Sequence, residues 1–130
     1  MKSIEVAVAI LKSNENTVLT SWRQPHQHQG GLWEFPGGKR EPDESMYDAL
    51  KREVYEELGI EVEEAQPFVR IDHDYGDKQV SLDVWMVSAF SGKPSSREGQ
   101  PLRWQAIPEL KHDEFPAANA AIITALQAVN

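Results

Sequence analysis

The chain contains no cysteine. A disulfide, a thiolate nucleophile and a cysteine-based zinc site are therefore excluded. A cysteine-free chain suits a reducing compartment, and the cytoplasm is the expected location. Long apolar runs are also missing: no stretch approaches the roughly 20 apolar residues that a membrane helix needs. The first apolar run, Ile4 to Leu11, is short, carries Glu5 and leads directly into more domain-like sequence. It reads as a strand and not as a secretion signal. Positive charge is scarce. Lys and Arg number 13 against 21 Asp and Glu, a net charge of −8, whereas a nucleic-acid surface should be basic. That balance does not exclude a phosphate-bearing small partner. Carboxylates that hold divalent cations make the bound metal the local charge that matters.

What is present suits one globular domain spanning residues 1–130: 40% apolar and 26% charged residues. Ile4 to Leu11 reads as a buried strand, Ser13-Asn14-Glu15-Asn16 as a turn and Thr17 to Trp22 as a second strand, so an opening hairpin is expected. Gln24 to Gly31 is a polar loop holding His26 and His28. The short apolar run Leu32 to Phe35 is broken by Pro36-Gly37-Gly38. Ser45 is a good N-cap for a helix from Met46 to Leu58, with Asp48 in the place of a capping-box acid and Gly59 as C-cap. Pro67 to Ile71 and Gln79 to Ala89 read as strands linked by Asp74 to Lys78. Ser91 to Gln100 is a Gly-, Ser- and Pro-containing loop. Leu102 to Ile107 reads as a last strand, and Ala117 to Val129 has helical periodicity. This order predicts an α+β fold with a mixed sheet and helices on its faces.

The helix Met46 to Leu58 carries the chemical signal. At about 100° per residue with Leu50 at zero, Val54 falls near +40°, Leu58 near +80° and Met46 near −40°. This is the apolar stripe that faces a core. Glu57 falls near −20°, inside that stripe, Glu53 near −60°, at its border, and Glu56 near −120°. A run of charge is ordinarily a solvated face, but burying Glu57 without a partner costs several kcal/mol. Carboxylates three and four residues apart on a helix also repel one another. Arg52 carries one positive charge, which neutralises one of them and not three. Hard divalent cations with oxygen ligands answer the remainder. Gly37 and Gly38, just before the helix, let backbone approach a ligand closely.

These residues resemble the Nudix box, G-x5-E-x7-R-E-U-x-E-E-x-G-U with U aliphatic. Gly38, Glu44, Arg52, Glu53, Val54, Glu56, Glu57, Gly59 and Ile60 keep every spacing of it. The similarity covers nearly the whole chain and is greatest to the MutT branch of that family. Leu32-Trp33-Glu34-Phe35-Pro36-Gly37-Gly38-Lys39, Glu98-Gly99-Gln100-Pro101 followed by Trp104, and Phe115-Pro116-Ala117-Ala118-Asn119 carry it. The resemblance implies an α/β/α sandwich around a central mixed sheet. It also implies hydrolysis of a nucleoside diphosphate linked to another moiety, with Mg²⁺ or Mn²⁺ as cofactor. For the branch this means 8-oxo-dGTP going to 8-oxo-dGMP and pyrophosphate, a reaction that sanitises the nucleotide pool. A monomer is the family-based expectation.

The resemblance further implies that Glu53, Glu56 and Glu57 bind metal, with the carbonyl of Gly37 or Gly38 as another oxygen ligand. It places Glu98 where a loop carboxylate joins the site. Glu53 is the first candidate for general base and Glu98 the second, since a base must reach the attacking water. Arg52 is expected to orient the glutamates by charge-assisted hydrogen bonds. Glu44 precedes the Ser45 cap, so it belongs to the loop, in a supporting role. Lys39 is a candidate phosphate contact. The pattern sets Asn119 against a purine edge, for which an amide offers both donors and an acceptor. Phe35 contributes packing, while Arg23, His28 and Glu34 line or close the pocket. Asp77 matches a loop position of the branch, but its neighbour Lys78 stands where the branch has arginine. Lysine lacks the planar fork of arginine, which bears on how the loop closes over the base. Gln24-Pro25-His26-Gln27 also departs from the pattern.

An alternative within the family is a pyrophosphohydrolase for CTP or modified pyrimidine triphosphates, in which Leu32 to Phe35 and Glu41-Pro42-Asp43-Glu44-Ser45 also occur. Asn119 in its setting stands against it. The full set of box glutamates argues against a non-catalytic nucleotide-binding module on the same fold.

Overall fold

The computed structural model describes residues 2–23 and 31–129. In chain order the elements are β1 (Lys2–Leu11), β2 (Thr17–Trp22), β3 (Trp33–Glu34), β4 (Gly37–Lys39), α1 (Met46–Leu58), β5 (Glu61–Asp74), β6 (Lys78–Ser91), β7 (Leu102–Ala106) and α2 (Ala117–Ala128). Single 3₁₀ turns at Ile107–Glu109 and His112–Glu114 lie between β7 and α2.

β1 is apolar at successive positions because both of its faces are buried. Ala7, Ala9 and Leu11 face one core, and Val8 and Ile10 face another, as the two-residue period of a strand requires. Both edges are occupied as well. β4 pairs with β1 antiparallel and β6 pairs with it in parallel. β5 follows antiparallel on β6, giving a mixed sheet in the order β4-β1-β6-β5. α1 covers the Ala7 face with Ala49, Leu50, Val54 and Leu58. α2 covers the Val8 face with Ala118, Ile122, Ile123 and Leu126. The sandwich with a central mixed sheet is therefore present, as is the α+β class.

A second, antiparallel sheet of three strands, in the order β3-β2-β7, stands beside the first. It corrects the expected opening hairpin. The turn after β1 is real: the Ser13 hydroxyl accepts the amides of Glu15 and Thr17, and Asn16 adopts φ 64°. Beyond the turn, β2 keeps to β1 through the Lys12–Val18 bridge and then turns away to pair with β3 and β7, while β4 takes the Val6–Val8 stretch of β1. β5 also begins at Glu61 rather than Pro67. Proline removes a ladder donor, and β5 tolerates Pro67 at the sheet edge, with register shifts on either side of it. β7 ends at Ala106, where Ile107 and Pro108 start the 3₁₀ turn.

α1 spans the residues its caps predict. The Ser45 hydroxyl accepts the Asp48 amide at 3.1 Å, and Gly59, at φ 72°, donates its amide to the Tyr55 carbonyl at 2.9 Å.

Candidate active site

β4 carries two glycines between tightly packed neighbours. Gly37 has φ 152°, and a Cβ there would overlap the Ala7 carbonyl. A Cβ on Gly38 would overlap the Glu53 carboxyl. The glycines thus let the edge strand and the acidic face of α1 close on each other.

Arg52 organises that face. Its Nη2 and Nε contact the two Glu44 carboxylate oxygens at 2.6 and 2.9 Å. Its Nη1 reaches Glu53 at 2.9 Å and Glu56 at 3.3 Å, and Nη2 also donates to the Lys39 carbonyl at 3.0 Å. Glu41 lies 3.9 Å away. One guanidinium therefore serves more carboxylates than sequence geometry suggested. The Arg52 hydrogen bonds, aided by the Glu41 amide, hold Glu44 down at a pKa of about 2. Glu53 is displaced upward, because burial outweighs the opposing hydrogen bond and charge of Arg52. Glu56 is half exposed.

Among the described residues Glu57 stands outside the Arg52 ion pairs. Burial, then the charges of Glu34, Glu53 and Glu98, push it up to about 9, against a hydrogen bond from the Gly37 backbone amide. Glu34 is itself raised by burial, opposed by Arg23, whose Nη1 lies 2.8 Å from it. Glu57, Glu34, Glu98, Arg23 and Gly37 line one acidic cavity with Gln100. Glu44, Glu53 and Glu56 are gathered instead around Arg52. Among the described residues no three His, Asp or Glu side chains already converge on a point where a metal would sit. The donor set nevertheless fits a divalent cation. Its atoms are all hard oxygens, and a carboxyl kept protonated by burial and then by neighbouring carboxylates is short of positive charge.

A second, largely apolar cleft opens on the α2 face. Val6, Val8, Val80 and Leu82 form its floor, and Phe35, Lys39, Lys78 and Asn119 line it. Phe35 stacks on Phe115 with ring centroids 5.3 Å apart. Arg23, Glu34 and Gly37 line this cleft and the acidic cavity alike. The two spaces therefore meet at the edge of β4. Asp77 is exposed and outside the cleft lining. His28 and the Gln24 to Gln27 segment lie outside the described residues. Sequence reasoning missed Tyr75, whose hydroxyl accepts the Ala118 amide at 3.2 Å and closes the cleft between the Asp74–Lys78 turn and α2. It also missed Gln100. Neither residue lies on a periodic apolar face, and the Glu98-Gly99-Gln100-Pro101 run was the only hint of the latter.

Comparison with known proteins agrees with this geometry. A family model described as the NUDIX domain matches residues 7–125. The chain is 34% identical over 127 residues to an 8-oxo-dGTP diphosphatase of Escherichia coli K12, covering 98% of each. It is 36% identical over 129 residues to a CTP pyrophosphohydrolase of the same organism, covering 99% of this chain and 95% of that one. A solved structure from a study of MutT from Aliivibrio salmonicida and Vibrio cholerae superposes with a TM-score of 0.86 at 37% identity, covering 99% of this chain and 100% of the other. The chain belongs to the Nudix family of hydrolases, whose members generally depend on a divalent metal.

Proposed function

We propose that this protein hydrolyses 8-oxo-dGTP to 8-oxo-dGMP and pyrophosphate, with Mg²⁺ or Mn²⁺ as cofactor. The observation that carries the reading is the junction at Gly37. There an apolar cleft that Asn119 lines opens onto a carboxylate cavity in which Glu57 has no counter-charge from Arg52. The base lies on Phe35 and the apolar floor, with Asn119 at its edge, and the phosphates extend past Gly37 with Lys39 beside them. Glu53, Glu56, Glu57 and Glu98, with a carbonyl of Gly37 or Gly38, would hold the metal. When bound, the metal offsets phosphate charge and lowers the pKa of a bound water.

The chain's own residues set up the proton transfer. Glu53 is the proposed base, and Arg52 favours its ionised form against burial. Glu44 grips the other side of the Arg52 fork, so the guanidinium cannot swing away from Glu53. Glu98 enters from the loop before β7.

Hydrolysis of CTP is the second reading, favoured by the 36% identity to a CTP pyrophosphohydrolase over nearly the full chain. Pyrophosphate release from 8-oxo-dGTP, dGTP and CTP, measured with Mg²⁺ and with EDTA, decides between them. Metal-dependent turnover that strongly prefers 8-oxo-dGTP supports the first reading; a clear preference for CTP replaces it. Asn119→Ala is expected to shrink the ratio of 8-oxo-dGTP to dGTP turnover, and an unchanged ratio would remove the base-reading role.

A further inference from the structure

Residues 92–101 connect β6 to β7 and carry Glu98. This loop is fastened to the last turn of α1, where helix geometry leaves carbonyls without intrahelical partners. The Ser95 amide donates to the Leu58 carbonyl and the Arg97 amide to the Glu57 carbonyl, each at 3.0 Å. The Arg97 guanidinium lies over the Tyr55 ring, 5.2 Å from its centroid. Gly99 turns the chain at φ 83°, which brings the Gln100 side chain back across the loop. Gln100 Nε2 then donates to the Glu57 carbonyl at 3.4 Å. Its Oε1 accepts the Glu98 amide at 3.1 Å and the Ser96 hydroxyl at 2.9 Å. An amide nitrogen only donates and an amide oxygen only accepts. One orientation of the side chain therefore satisfies the Glu57 carbonyl and the Glu98 amide together.

We infer that Gln100 is a positioning residue: by bonding the main chain of both Glu57 and Glu98, it sets the spacing of their carboxylates across the acidic cavity that it also lines. This rests on the proposed reading of those two glutamates as metal ligands. They come from elements that share no ladder, α1 and the loop before β7, so their separation depends on whatever joins the two. The Ser95 and Arg97 amides hold the loop to the helix but stop short of Glu98 itself. Gln100 is the side chain that reaches both, and being neutral it adds no charge that would compete with a cation.

The test is direct Mn²⁺ binding without nucleotide, read from the electron paramagnetic resonance signal of free Mn²⁺. Wild type, Glu57→Gln, Gln100→Ala, Gln100→Asn and Arg97→Ala are compared, with circular dichroism to confirm folding. Removing groups that orient metal ligands typically costs about 10- to 100-fold in affinity. Gln100→Ala is expected to weaken Mn²⁺ binding by about tenfold and to lower kcat with little change in nucleotide KM. Gln100→Asn, too short to span both groups, is expected to do the same should the alanine variant fail to fold. Arg97→Ala loosens the loop without touching either main-chain bond of Gln100, and should bind Mn²⁺ as wild type does. Wild-type affinity in the folded Gln100 variants overturns the inference, as does an equal loss in Arg97→Ala. If wild type and Glu57→Gln bind Mn²⁺ alike, the reading of the site falls and this inference falls with it.

Discussion

Arg52 and Glu57 share one helix and stand in opposite electrostatic conditions. Arg52 is surrounded by carboxylates and is driven toward permanent protonation, first by its hydrogen bond to Glu44. Glu57 is partly buried, beside carboxylates, and desolvation first and their charge second keep its proton up to about pH 9. Its ordinary value is 4.5, so between the two the folded state keeps a proton that the unfolded chain has released. Stability then falls as pH rises. For the metal-free protein this contribution is fully present below about 4.5 and is lost as pH rises through about 9. The melting temperature in EDTA should decline across that window, and the gain on adding Mg²⁺ should grow with pH as the cation replaces the proton. Glu57→Gln should flatten both trends; a variant as pH-sensitive as the parent would assign them to another group. At Glu53, the glutamine variant should keep the fold and lose on the order of 10²- to 10⁴-fold in kcat, the range for a missing general base. Near-normal pyrophosphate release from that variant would move the base elsewhere, with Glu98 next to be tested.

The elements differ in how plainly their sequence announces them. α1 was legible to the residue because side chains and backbone at both ends say where it stops: Ser45 caps one end and left-handed Gly59 the other. Ser45→Ala should cost about 1 kcal/mol, visible as a melting point lower by a few degrees with activity retained. If activity fell as far as stability, the cap would have a role beyond the helix. β5 was half legible. Its first residues are charged and its pairing with β6 slips three times, so the alternation that marks a strand is broken before Pro67. The partner of β2 was not legible, since a tight turn predicts a hairpin whereas β2 pairs with β3 and with β7, some 85 residues on. The site divides in the same way. Glutamates at helical spacing stand out in a sequence, whereas Tyr75 and Gln100 act through main-chain groups 43 residues away in each case. The glycines of β4 give the sharpest local prediction. Gly38→Ala puts a methyl group where the Glu53 carboxyl sits. It should abolish most turnover while leaving the far-UV circular dichroism intact, and an active alanine variant would show that Glu53 works from another position.

At the scale of the whole molecule, the central sheet separates two working spaces. The apolar cleft lies on the α2 face, while the Arg52 and glutamate cluster belongs to the helix on the opposite face. Among the described residues they meet where Gly37 of β4, with Arg23 and Glu34, borders both. A triphosphate bound as proposed is therefore draped over that junction, and cleavage divides it there. The two products come to rest on different sides of a wall, the nucleoside monophosphate against α2 and the pyrophosphate among the carboxylates.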